Sequence, residues 1–198
     1  MNISPLSQDW TRLMTKPLID HMILERKFTA QELIDCGCKA DEEERVVTFP
    51  LYNASGKMTG YQEYRPDASK EKNNVRGESR YWTYITKGEL GYWGHHSFKE
   101  DVSVLFITEG VMDAARLTSL GCQAVATLAN NPKHMKRLID IWKSKYFVVT
   151  LLDNDAAGQK LANFGHAAYV MDDDVNSASG QELGKMFRDV RDMLEGTN

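Results

Sequence analysis

An α/β fold is predicted from three observations. Beyond about residue 100, short apolar, β-branched runs alternate with segments of helical periodicity. That alternation implies right-handed crossovers and a parallel sheet. Upstream of it, two apolar runs flank the turn residues Asn53-Ala54-Ser55-Gly56, which reads as an antiparallel hairpin. The chain is therefore cut near residue 100 into a small mixed α+β part, residues 1–100, and a Rossmann-like α/β part with flanking helices, residues 101–198.

In chain order, Leu18–Phe28 and Thr29–Cys36 read as short helices. Thr29 is placed to cap the second, with Glu32 three residues on and Gly37 to end it. The acidic run Asp41–Glu44 reads as a solvated turn, and Arg45–Tyr52 and Met58–Tyr64 as the hairpin strands. Polar Pro66–Ser79 is a loop before a strand at Tyr81–Ile85. The α/β part supplies strands Val102–Ile107, Ala124–Thr127, Tyr146–Leu152 and His166–Met171. Its helices are Val111–Leu120, Lys133–Trp142, Ala156–Phe164 and Gln181–Glu195, the first closed by Gly121.

The composition, 42% hydrophobic and 26% charged, is that of a soluble globular protein. No apolar run approaches membrane-span length, and Met1-Asn2-Ile3-Ser4-Pro5 lacks a secretion-signal pattern. The cysteines Cys36, Cys38 and Cys122 form no disulfide framework, so a cytoplasmic location is expected. The net charge of −4 argues against a bulk nucleic-acid binder, but its distribution is uneven. From Lys57 to Lys87 seven basic residues face four acidic ones, interleaved with Tyr61, Tyr64, Tyr81, Trp82 and Tyr84. Stacking aromatics among cations suit single strands; a solvated edge strand gives the same pattern.

The chemistry concentrates where strands end. Thr108-Glu109-Gly110 follows one apolar run, with Asp113 one helical turn on, and Asp153-Asn154-Asp155 follows another. In an open parallel sheet, ligands collect at the carboxyl ends of strands. If the two strands are neighbours, Glu109, Asp153 and Asp155 converge there. Oxygen-only acidic sites suit Mg²⁺ or Mn²⁺ and, through the metal, a phosphate. Asp113 could lie in an outer shell, and one of Asp172-Asp173-Asp174, after the fourth strand, could complete a second metal site. Singly, each acid has a simpler explanation, as a helix cap, a dipole partner or a solvated loop residue.

Other motifs fail on spacing. Asp153–Gly158 opens like a calcium loop, but position five is Ala157 and position twelve is Phe164. Gly56-Lys57 has Leu51 where a Walker A loop needs glycine. Cys36 and Cys38 with His95 and His96 lack the second cysteine pair of a zinc ribbon.

Ile107-Thr108-Glu109-Gly110-Val111-Met112-Asp113 together with Leu151-Leu152-Asp153-Asn154-Asp155-Ala156-Ala157-Gly158 resembles the Toprim domain of primases, topoisomerases and certain nucleases. Asp174-Val175-Asn176 resembles that domain's late acidic motif. Within the superfamily the chain looks most like DNA primases. Val47-Thr48-Phe49-Pro50-Leu51-Tyr52, Gly56-Lys57, Gly60-Tyr61, Arg80-Tyr81 and Lys87-Gly88-Glu89-Leu90 resemble the basic subdomain that precedes Toprim there. The resemblance implies metal-dependent synthesis of short RNA primers from ribonucleoside triphosphates on single-stranded DNA, in phage or mobile-element replication. Glu109, Asp153 and Asp155 would be catalytic, joined by Asp113, Asp172 and Asp174 as metal ligands. Lys57, Arg65, Arg76, Arg80, Tyr81 and Lys87 would contact nucleotide or template. The family's zinc-binding, trailing helical and helicase modules have no counterpart among the matched motifs, which implies a separate helicase or zinc-module protein as partner. Rival expectations are a Toprim nuclease using water as nucleophile, and a non-catalytic module binding DNA or a replication protein.

Overall fold

The structure is a computed structural model and describes residues 17–69, 75–129, 131–152, 158–172 and 174–196. Among these described residues there are two four-stranded sheets. The first is antiparallel, in the order β1 (Lys39–Asp41), β2 (Val46–Tyr52), β3 (Met58–Tyr64) and β4 (Tyr81–Ile85). Helices α1 (Leu18–Leu24) and α2 (Ala30–Asp35) precede it. The second sheet is parallel and comprises β5 (Val104–Thr108), β6 (Gln123–Ala126), β7 (Phe147–Leu152) and β8 (Ala167–Val170). Helices α3 (Val111–Ser119), α4 (Lys136–Lys143) and α5 (Gly180–Glu195) flank it. The expected α/β class with a preceding antiparallel part is thus observed. Among the described residues no helix is long and apolar enough to cross a membrane.

Local chemistry explains most element ends. Thr29 and Glu32 form the expected capping box on α2. Helix α1 stops at Leu24, short of the predicted Phe28, because the chain reverses at Lys27 with φ +60°. Its N-terminus follows Pro17, which offers no side-chain cap; the Glu42 carboxylate accepts the Leu18 N–H instead, with both oxygens at 2.8 Å. The predicted turn at Asp41–Glu44 needs correction at its first residue. Asp41 ends strand β1, and its carboxylate then accepts the Glu43 and Glu44 N–H groups to make the turn. Pro50 is tolerated inside β2 because β1 pairs only with Val46–Thr48, leaving its nitrogen no strand partner to serve.

The predicted α-helix at Ala156–Phe164 is also corrected. Residues 153–157 lie outside the described set, and Gly158–Phe164 is a 3-10 helix. It must return the chain to the start of β8. A 3-10 helix rises about 2.0 Å per residue against about 1.5 Å for an α-helix, so these residues carry the chain further than an α-helix of the same length would.

The inner face of the antiparallel sheet, with Val47, Phe49, Leu51 and Tyr64 at 1% exposure or less, shares one apolar cluster with Phe106, Met112, Leu117 and Val149 of the α/β part. The two sheets are also joined through the backbone. Tyr92 exchanges paired N–H···O bonds with Tyr52 at 2.9 and 3.0 Å, and Trp93 does the same with Ala126 at 3.2 and 3.1 Å. Trp93 is fully buried at this seam.

Candidate active site at the sheet switch point

The strand order β6-β5-β7-β8 reverses direction between β5 and β7. After β5 the chain goes to one side for β6, then crosses to the other for β7, which opens a crevice at the carboxyl ends of β5 and β7. Ile107 pairs with Thr150, so by continuation Glu109 stands level with Leu152, the residue before Asp153. Asp153 and Asp155 themselves lie outside the described residues, as do Lys70, Lys72 and Asp173. At the end of β7, Met171 donates its N–H to the Leu152 carbonyl at 3.0 Å, so the chain enters exposed Asp172 at the edge where Leu152 ends its strand. Exposed Asp174 caps a turn, its carbonyl accepting the N–H groups of Ser177 and Ala178. Among the described residues no three His, Cys, Asp or Glu side chains close into a metal cage.

Glu109 is held by its neighbours. Its carbonyl accepts the Leu128 N–H at 2.9 Å, and the Thr108 carbonyl accepts the Thr127 N–H at 3.0 Å. Leu128 takes φ +61°, a left-handed conformation that an ordinary L-residue adopts only under local constraint. Asp113, in the first turn of α3, accepts the Asn176 backbone N–H on Oδ1 at 3.0 Å. Its Oδ2 lies 2.9 Å from where a Cβ on Gly110 would sit, so the carboxylate packs close against the backbone at the start of α3. These donors are oxygens at the switch point, the chemistry a hard divalent cation takes.

One cation that the sequence reading missed enters this region from α1's end. Arg26 donates from Nε to the Tyr64 hydroxyl at 2.8 Å, and its guanidinium lies 5.0 Å from the Tyr64 ring centre. The Tyr64 ring stands 5.2 Å from that of Tyr81. Asn176 ties the same segment down, its side-chain amide donating to the Arg26 carbonyl at 2.6 Å. Desolvation would lower the Arg26 pKa, but the Tyr81 and Tyr64 phenols and the Asp113 carboxylate outweigh it and raise it, so Arg26 stays charged. Desolvation pushes the Tyr81 phenol up to about 12, although 42% of the residue is exposed. No local motif marks Arg26, because its partners lie 38 and 150 positions away.

The remaining predicted contacts divide between two faces. Register pairs Tyr64 with Tyr81 and Val47 on the inner face, and Glu63 with Trp82 and Thr48 on the outer one. Arg65 and Arg76 both grip Glu63 there, at 3.1 and 2.6 Å. Arg80 donates twice to the Ala68 carbonyl, at 3.1 and 3.0 Å, and Lys57 pairs with Glu89 at 3.0 Å. Lys87 is exposed in the turn after β4.

Residues 106–182, which run from β5 into the start of α5 and include the switch point, match the Toprim-like family. Over a longer stretch the chain is similar to DNA primases. It is 30% identical over 130 residues to the DNA primase of Mycoplasma genitalium, covering 63% of this chain and 20% of that protein. The chain thus spans about a fifth of that relative's length. Its structure is similar to the DnaG catalytic core, with a TM-score of 0.61 at 13% identity over 86% of this chain and 72% of the other. It is also similar to a DnaG primase catalytic domain bound to single-stranded DNA, with a TM-score of 0.54 at 16% identity over 93% of this chain and 75% of the other. The likeness covers both sheets, so the fold is that of a primase catalytic core.

Proposed function

We propose that this chain is a primase-type core that joins ribonucleoside triphosphates into short RNA primers on a single-stranded DNA template during replication. The observation that supports it most is that β5 and β7 end side by side at the switch point, so Glu109 and the Asp153-Asn154-Asp155 segment follow neighbouring strands. Glu109, Asp153 and Asp155, with Asp113, Asp172 and Asp174, would hold Mg²⁺ or Mn²⁺, which when bound offsets the charge of reacting phosphates and activates an attacking oxygen.

The chain's own groups would do the orienting. Arg26 is charged, partly buried and fixed on the Tyr64 ring, and so suits a triphosphate at the same edge. Tyr81 stays protonated at neutral pH and can donate to a phosphate oxygen or offer its ring to a base. Lys87 and Arg80 would extend the positive path towards the template, and Lys57, Arg65 and Arg76 would meet it further out. A helicase or zinc-binding module, on the same polypeptide or another, would supply template delivery and start-site choice.

The test is de novo synthesis on single-stranded DNA with labelled nucleoside triphosphates and Mg²⁺ or Mn²⁺. Short RNA products that disappear in Asp153→Ala are the expected result. A degraded template with no product would instead make the chain a nuclease, and full synthesis by Asp153→Ala would sink the metal assignment.

A further inference from the structure

The aromatic residues between positions 61 and 84 do not form one surface. Tyr64 and Tyr81 face inward, beside Arg26. Tyr61, Trp82 and Tyr84 fall on the outer face by register, because Tyr61 pairs with Tyr84 and Glu63 with Trp82. Their rings form a contiguous cluster: Tyr61 lies 6.2 Å from Trp82 and 5.5 Å from Tyr84, while Trp82 and Tyr84 are 6.4 Å apart with planes within 13°. Tyr84 is 46% exposed. Arg76 lies 5.4 Å from the centre of the Trp82 ring and keeps 59% of its side chain in solvent.

We propose that this outer face is a second contact surface for single-stranded nucleic acid, with Trp82, Tyr84 and Tyr61 stacking bases and Arg76 meeting the backbone. It rests on the reading of the chain as a template-binding core and extends that template's path.

Three features select a single strand as the occupant. The first is charge. Glu63, the acid within the cluster, is only 4% exposed because Arg65 and Arg76 both bond its carboxylate, so its charge is covered and matched while the outer side of the Arg76 guanidinium stays in solvent. The Lys57–Lys87 segment is net positive in a chain whose total is −4. The second is ring geometry. Near-parallel aromatic side chains two residues apart on a strand offer the same orientation to successive bases, and a base of any sequence has a stacking face. The third is continuity. β4 is the edge of its sheet, and Tyr81 and Trp82 are consecutive on it but face opposite sides. A strand leaving Tyr81 at the inner edge therefore needs only to fold over β4 to reach Trp82.

The test is a fluorescence-anisotropy titration of the full chain with a labelled oligothymidylate of about twenty nucleotides, in EDTA so that no chemistry intervenes. Trp82→Ala/Tyr84→Ala is expected to bind about tenfold more weakly than wild type, and Trp82→Phe to bind nearly as well. Photocross-linking of wild type to a bromouracil-substituted oligonucleotide gives a readout independent of any variant's folding. Adducts at Trp82 or Tyr84 within the tryptic peptide Tyr81–Lys87 are expected. Unchanged affinity in a folded double variant, or adducts confined to Tyr81, would overturn the proposal and leave the outer face to sheet packing or a protein partner. Trp82-dependent binding without primer synthesis would uphold this face while the catalytic reading falls. Primer synthesis with Trp82-independent binding would do the reverse.

Discussion

The Asn176 backbone N–H donates to the Asp113 carboxylate at 3.0 Å, across 63 positions of sequence. This ties the loop after β8 to the first turn of α3, and the Asn176 side chain carries the tie on to the Arg26 carbonyl at 2.6 Å. Asp113 thus has a structural partner on its Oδ1, a tie that holds the first turn of α3 to the loop after β8.

Asp113→Asn and Asp113→Ala separate this tie from the proposed metal role. The amide keeps an oxygen that can accept from Asn176, so Asp113→Asn should unfold within about 0.5 kcal/mol of wild type in urea. Asp113→Ala leaves a buried N–H unpaired and should lose about 1–3 kcal/mol. If Asp113 aids metal binding, both variants need more Mn²⁺ for half-maximal primer synthesis; equal metal requirements would confine Asp113 to the structural tie.

Arg26→Lys keeps a charge but loses the guanidinium fork that bonds Tyr64 and lies over its ring. We expect the KM for nucleoside triphosphate to rise about tenfold, with a smaller change in kcat. A variant with wild-type KM would remove Arg26 from the nucleotide site.

Burial would raise the Glu63 carboxyl, but hydrogen bonds and charges from Arg76 and Arg65 overcome it and hold its pKa below the ordinary 4.5. A carboxyl depressed on folding stabilises the fold above its unfolded pKa, and that stability is lost as pH falls through the folded value. Wild type should therefore lose urea resistance steeply below pH 4.5, whereas Glu63→Gln should start about 1–3 kcal/mol lower at pH 7 and decline less in acid. Parallel pH profiles would show that the pair contributes nothing.

Gly94 has φ +100°, and a Cβ there would come within 2.3 Å of the Ala124 carbonyl oxygen. Gly94→Ala should destabilise the chain by about 3 kcal/mol or more, measured by thermal or urea unfolding. Near-wild-type stability would mean that the seam between the sheets tolerates displacement.

Much of the fold was legible because its signals are local. The apolar runs ending at Thr108 and Leu152 lead directly into the acids, and Thr29 with Glu32 announces a helix start by side-chain reach alone. Strand β1 gives no sequence signal, because its three residues, Lys39–Asp41, are all exposed and show no alternation. Helical composition over Ala156–Phe164 predicts an α-helix, but composition does not separate α from 3-10 winding, which is what Gly158–Phe164 adopts. In the candidate site, the placing of acids after strands β5 and β7 is read from local sequence, but the two faces of the 61–84 segment depend on the register between β3 and β4. Arg26 depends on contacts to Tyr64 and Asn176 that only the folded chain brings together.

The pairing of Tyr92 with Tyr52 and of Trp93 with Ala126 also bears on motion. With both sheets spliced by main-chain bonds around a fully buried indole, hinging between the two parts would have to break that splice. The two halves would meet a substrate as a fixed jaw, with the gap between them set at folding rather than at binding.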